Sequence, residues 1–137
     1  NTLLANYALP TGPISAAIGT ITPKQLVATL VGQSQRGFDG LTSAVLVPQN
    51  FALEGLLGTD AFAVTQTIGT FATANAGTGI LVSASLGAGD FQALNGTLAG
   101  NYALPSTAVG NIGIITPRLL TVTLTGSTSR TYDGTSS

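Results

Sequence analysis

The sequence predicts an all-β protein made of tandem immunoglobulin-like β-sandwich repeats of about 95 residues. Three observations predict it. Residues 19–43 read GTITPKQLVATLVGQSQRGFDGLTS and residues 113–137 read GIITPRLLTVTLTGSTSRTYDGTSS, which align without a gap and share 12 of 25 residues. Self-similarity at such a period marks a repeat architecture. Apolar residues alternate with threonine in the second copy, a period of two that belongs to a half-buried strand. Finally, turn signals recur roughly every ten residues with no helical period between them, as in an all-β sandwich. A β-grasp-like unit is the alternative, and it needs one helix that the pattern does not supply.

The repeat sets the boundaries. Residues 1–22 match the end of a preceding repeat, residues 23–116 make one complete unit, and residues 117–137 begin the next. The block NYALP at residues 6–10 returns at residues 101–105, so one residue is lost between the two echoes. The chain reads as a piece of a longer polypeptide.

Taken in order, residues 1–10 end in a proline that cannot continue a ladder. Residues 14–21 are a short apolar segment leading into Thr22-Pro23. Residues 25–31 form a strand whose counterpart puts Leu120, Val122 and Leu124 on one side and Thr121, Thr123 and Thr125 on the other. By alignment Leu26, Ala28 and Leu30 face inward. Residues 32–36 are small and polar, hence a turn. Residues 41–47 are a strand closed by Pro48, residues 50–60 a glycine-bearing connection, and residues 62–72 a further strand region. A turn at residues 75–77 precedes a strand at residues 79–86, and residues 87–90 turn again. Residues 91–98 suggest a hairpin about Asn95-Gly96, a pair suited to positive φ in a type I′ turn. The unit closes with Asn101-Tyr102 and a strand at residues 109–115.

Only 7% of the residues are charged and 44% are hydrophobic, so the chain has the apolar surface that disordered segments lack. Its apolar runs are far shorter than a membrane-spanning helix requires, and no membrane insertion is expected. Its 21 threonines must supply much of the solubility. A net charge of −1, with basic residues scattered at Lys24, Arg36, Arg118 and Arg130, offers no phosphate-binding stripe and argues against nucleic acid. Such a weakly charged surface resists association poorly, which suits a protein that packs beside copies of itself.

Candidate sites are few. Asp39 and Asp133 each precede a glycine and read as turn aspartates bonding their own backbone. The aromatic before each, Phe38 or Tyr132, is expected to fill the edge of the core. Calcium needs six to eight oxygens from clustered carboxylates, and Asp39, Glu54, Asp60 and Asp90 stand singly, so no cofactor is expected, with calcium as the alternative. Asp60 and Asp90 would have to meet to serve as an acid and base pair, and no spacing brings them together. With no His, no Cys and no nucleophile elbow or phosphate loop, an enzyme is not expected. Lys24 is the single lysine and its counterpart is Arg118, which argues against a lysine cross-link repeated along an array. Asn95-Gly96-Thr97 fits the glycosylation sequon, though an Asn-Gly turn accounts for it as well.

One combination of motifs resembles a known family. The series Ile21-Thr22-Pro23, Phe38-Asp39-Gly40, Gly89-Asp90 and Asn101-Tyr102, followed by Ile115-Thr116-Pro117 and Tyr132-Asp133-Gly134-Thr135, resembles the YDG-domain repeats of filamentous haemagglutinin-type bacterial adhesins. The complete unit departs from the pattern at Phe38, where the motif has Tyr, and at Leu41, where it has Thr. The resemblance implies a structural module in the stalk or fibre of a large exported surface protein, extracellular and without an active site. Its expected partners are neighbouring repeats, joined stiffly at the Thr-Pro junctions, and like subunits in a fibre. The alternative is a module that itself grips a carbohydrate or a protein on a host or surface receptor.

Overall fold

The computed structural model describes Ala8 and residues 11–13, 15–126 and 129–134. Within them the chain is all-β, with no α-helix and three short 3-10 turns. The helix that a β-grasp-like unit needs is therefore missing from the described residues, and none of their helices is long and apolar enough to cross a membrane. Most of the first NYALP block, and Thr135, lie outside the described residues.

Eleven strands follow Pro23: β1 (Lys24–Gln25), β2 (Val27–Leu30), β3 (Ser34–Gly37), β4 (Ser43–Val45), β5 (Phe51–Glu54), β6 (Ala61–Val64), β7 (Ile68–Phe71), β8 (Gly77–Ser85), β9 (Phe91–Leu94), β10 (Tyr102–Ala103) and β11 (Thr107–Thr116). Seven build one open sheet in the order β4-β7-β8-β11-β2-β5, with β3 also paired to β11. Two small ladders complete the unit: β1 with β10, parallel, and β6 with β9, antiparallel.

The long last strand, β11, is the spine. It lies antiparallel to β8 on one side and parallel to β2 and then β3 on the other. Ala108 is level with Ala28, and Thr116 is level with Gly37. Residues 24–37 are thus one path, broken at Leu26 and again between β2 and β3, that runs parallel first to β10 and then to β11. The second break is a one-residue register slip, since Ala108 pairs with Ala28 but Gly113 with Ser34. Gly32 takes φ +79 there, a left-handed conformation natural to glycine.

The core lies on one face of the main sheet. Leu30, Ala44, Leu46, Phe71, Val82 and Ile115 are buried in it with six others, and Phe51, Leu53, Ile80 and Phe91 pack around them. The expected inward positions Leu26, Ala28 and Leu30 are all buried, as the alternating pattern requires. Burying one such Leu, Phe or Ile fully contributes about 1.5–3 kcal/mol, so the core residues of the unit dominate its stability. β11 can pass through this layer only because Gly110 and Gly113 lack side chains. A Cβ at Gly110 would sit 2.2 Å from the Leu30 carbonyl oxygen, and one at Gly113 would sit 2.6 Å from the Phe71 ring.

Several expectations are corrected. Residues 32–36 are not a turn throughout, because Ser34 to Gly37 form β3. Their ladder partner is β11, nearly 80 residues away, and the local composition carries no trace of it. Residues 50–60 hold a strand, β5, which pairs with β2 through Leu30↔Phe51 and Val27↔Glu54. Residues 62–72 divide into two strands in different sheets, β6 and β7. Asn95 and Gly96 do take positive φ, +54 and +77, and Thr97 N–H closes the turn on Leu94 O at 2.9 Å. No hairpin results, since β9 pairs back to β6 and the chain after the turn enters a 3-10 turn at Ala99–Asn101.

Side chains of β3 bond the outer edge of β4. Ser34 Oγ donates to Val45 O at 2.8 Å, and Arg36 Nη1 donates to Ser43 O and Ser43 Oγ. Asn50 closes the gap behind it. Its side-chain Nδ2 donates to Val31 O at 2.9 Å, its Oδ1 accepts from Val47 N at 3.0 Å, and Val31 N donates to its carbonyl at 2.8 Å. A buried amide with its bonds made fixes the β2–β3 break against the loop before β5, because an unmade bond there would cost about 1–3 kcal/mol.

Candidate functional site

The motif residues gather at the two ends of the unit. Because β1 runs parallel to β10, and β2 and β3 parallel to β11, Thr22-Pro23 lies at one end of the unit and Thr116-Pro117 at the other.

The leading end is built on Tyr102, the tyrosine of the second NYALP block. Its ring lies edge-on to Phe62, with centroids 5.8 Å apart, and Phe62 in turn lies edge-on to Phe91. The Tyr102 hydroxyl donates to Asp60 Oδ2 at 2.6 Å and accepts from Leu57 N at 3.2 Å. The bond to the Asp60 carboxylate, with burial adding to it, holds the phenol above its ordinary pKa. Thr97 Oγ1 bridges to Asp60 Oδ1 at 3.5 Å and accepts from Ala61 N at 2.9 Å. Beside this network, Ile21, Thr22, Pro23 and Lys24 line a cleft of about 440 Å³ with Leu57, Gly100 and Asn101.

The trailing end carries the Phe38-Asp39-Gly40 triplet. Asp39 Oδ1 accepts from Leu41 N at 3.0 Å, and Gly40 takes φ +81. Arg36 pairs with the other carboxylate oxygen. The backbone bond from Leu41 and the Arg36 guanidinium together lower the Asp39 pKa below the usual carboxylate value. This is the turn aspartate the sequence suggests, now with an arginine three residues before it. The same geometry recurs at Arg130, Asp133 and Gly134, whose φ is also +81. Phe38 does not fill the core edge. It is 41% exposed and faces Ala76, Pro117, Arg118 and Leu120 across a shallow apolar cleft of about 320 Å³. Phe38 N donates to Thr116 O at 2.9 Å, which ties the triplet to the end of β11.

The remaining candidates do not meet. Asp60 and Asp90 lie beyond opposite ends of the β6–β9 ladder, where Ala61 pairs with Leu94 and Val64 with Phe91. At ~3.4 Å per residue they are roughly 17 Å apart along it. Asp90 is occupied locally, accepting from Gly87 N at 2.7 Å. Among the described residues, no group of three or more His, Cys, Asp or Glu could hold a metal ion. Asn95 Nδ2 donates to Thr59 O at 3.1 Å, and the hydroxyl of its sequon partner Thr97 belongs to the Asp60 network. Sequence reasoning overlooked Ser34, Arg36, Asn50, Leu57 and Thr97. The recurrence of Arg-x-x-Asp-Gly in both copies was the one readable signal for any of them.

The described residues thus form an all-β unit with Tyr102 and Asp60 at one end and the Phe38-Asp39-Gly40 triplet at the other. The YDG domain family model matches residues 22–109, from Thr22 into the first turns of the β11 ladder, and the chain belongs to that family. No curated protein and no solved structure matches it.

Proposed function

We propose that the chain is a structural repeat of an extracellular, cell-surface stalk or fibre, of the kind found in filamentous haemagglutinin-type bacterial adhesins. In this reading the unit is an immunoglobulin-like sandwich repeated in tandem, and neighbouring repeats of one polypeptide are its first partners. The observation that carries the proposal is that β2 and β3 run parallel to β11, and β1 parallel to β10. A unit whose opening strands run parallel to its closing ones takes the chain in at one pole and releases it at the other. Successive units then stack head to tail and cannot fold back on each other. Pro117 follows β11 directly, and Arg118 already begins the second copy of the motif, so almost no linker remains to bend. Weakly charged, threonine-rich flanks favour lateral association of such rods.

The test is low-dose electron microscopy of a longer polypeptide carrying consecutive repeats. The path from Lys24 to Gly37, at ~3.3 Å per residue, sets an axial rise of roughly 40 Å per unit. A beaded rod with that rise supports the reading. Dispersed globular particles overturn it and favour the module as a binder of glycan or protein.

A further inference from the structure

Two exposed apolar patches remain at the poles of the unit. At the leading end Leu57 stands more than half exposed beside Gly100 and Asn101, and at the trailing end Phe38 stands beside Ala76. Each patch shares a cleft with a flanking segment, and the two segments are copies of one another. Residues 21–24 line one cleft with Leu57, Gly100 and Asn101, and Pro117 and Arg118, the counterparts of Pro23 and Lys24, line the other with Phe38 and Ala76.

In a tandem chain these two segments are the same residues seen from either side. The Ile-Thr-Pro-Lys/Arg junction that shares a cleft with Phe38 and Ala76 of one unit must also share one with Leu57, Gly100 and Asn101 of the next. A segment this short cannot hold the two patches apart. From this we propose that Phe38 and Ala76 of each unit dock against Leu57 and the Gly100-Asn101 turn of the following unit, forming a seam around the Thr-Pro junction with the Lys24 or Arg118 charge at its rim. The partner is the adjoining repeat of the same polypeptide, and the inference rests on the tandem reading above.

The chemistry of the two faces agrees. The Asp39 charge is already matched within its own unit by Arg36, and Asp60 is engaged by Tyr102, so neither pole presents a bare carboxylate to the seam. A Cβ built at Gly100 would meet nothing within 4 Å, so the cleft beside Leu57 is open on that side for a ring. Either aromatic suits this role, which explains why the motif position can be Phe38 in one unit and Tyr132 in the next.

The test uses the full chain extended past Ser137 by a second copy of residues 44–116, because Ser137 is the counterpart of Ser43. That chain holds two complete units and one seam. Phe38→Ser, and Leu57→Ser in the appended copy, fall at the seam. Tyr132→Ser, and Leu57→Ser in the first copy, make equivalent changes at the free poles. The expected result is one thermal transition for the parent and both pole variants. Each seam variant should split it, the weaker step falling by about 4–8 °C, and 15N relaxation should show the two units tumbling separately. The outcome that overturns the seam is seam and pole variants behaving alike, or coupling that appears only as protein concentration rises, which would mark contact between separate molecules. A rod of regular rise with no seam asymmetry overturns the seam and leaves the stalk reading intact.

Discussion

The two copies of the motif, in residues 24–40 and 118–134, have related sequences and, in their described residues, quite different structures. Leu26 is 1% exposed and its counterpart Leu120 is 83% exposed; Leu30 is 4% exposed and Leu124 is bare. The first copy forms β1, β2 and β3, whereas the described residues after Thr116 contain no strand. Yet the Arg-x-x-Asp-Gly turn forms in both, with the ion pair present and the glycine at φ +81 each time. The turn is a local object, made by groups three residues apart. The strand is a remote one, needing β11 on one side and β5 on the other. The segment before Pro23 shows the same contrast: Ile18 and Ile21 are exposed, whereas their counterparts Ile112 and Ile115 are buried.

The contrast can be broken by mutation, and the largest effect is expected at the strand. Leu30→Ala should destabilise the unit by about 2–5 kcal/mol, while Leu124→Ala should change it by less than about 0.5 kcal/mol. Urea denaturation of the two variants measures this, and similar losses would mean that the second copy is packed after all. Next come the glycines of the spine. Gly113→Ala forces a methyl group against the Phe71 ring and the Ile80 carbonyl and should cost about 1–3 kcal/mol. Its counterpart Gly19 has nothing within 4 Å, and Gly19→Ala should be silent.

Smaller still is the expected effect of Tyr102→Phe, which keeps the ring against Phe62 but removes the bonds to Asp60 and from Leu57. The phenol pKa is raised in the folded state, so its stabilisation is complete below the ordinary value near 10. It is lost as pH rises through the folded value. Denaturation midpoints of Tyr102→Phe and the parent should therefore differ at neutral pH and converge in strong alkali. The smallest effect belongs to the turn: Asp39→Asn and Asp133→Asn should each shift the midpoint little, and by similar amounts, because exposed ion pairs contribute little. The Asp39 pKa is lowered on folding, so its contribution is present above about pH 4 and fades as pH falls through the folded value. Two-dimensional NMR titration of both carboxyls checks it, and a lowered value at Asp39 alone would show that the turn depends on the rest of the unit.

What the sequence revealed follows the same division. β2 was readable because period-two alternation is a local record of a buried face, and the Asp39-Gly40 and Asn95-Gly96 turns were readable because positive φ leaves a residue signature. β3 was not, since Ser34 earns its place by bonding Val45 O and pairing with Gly113, both distant in sequence. β5 hid behind Gly55 and Gly58, which suggest a loop, although they only follow the strand. The turn at Asn95 was correct and its hairpin was not, because turn chemistry fixes the bend and says nothing of which strand β9 will choose. Asn50 gave no signal at all; a lone asparagine after a proline becomes a buried latch only once β2 and the β4–β5 loop are side by side.

Hydrogen exchange on the amides of residues 120–125 tests most directly the claim that the second copy is a strand awaiting its unit. In the chain as it stands they should exchange quickly. In the chain extended past Ser137 by residues 44–116 they should slow to match those of residues 26–31, because β11 and β5 counterparts are then present to pair with them. Amides that stay fast in the extended chain would contradict the account, and would mean that residues 117–137 do not begin a unit.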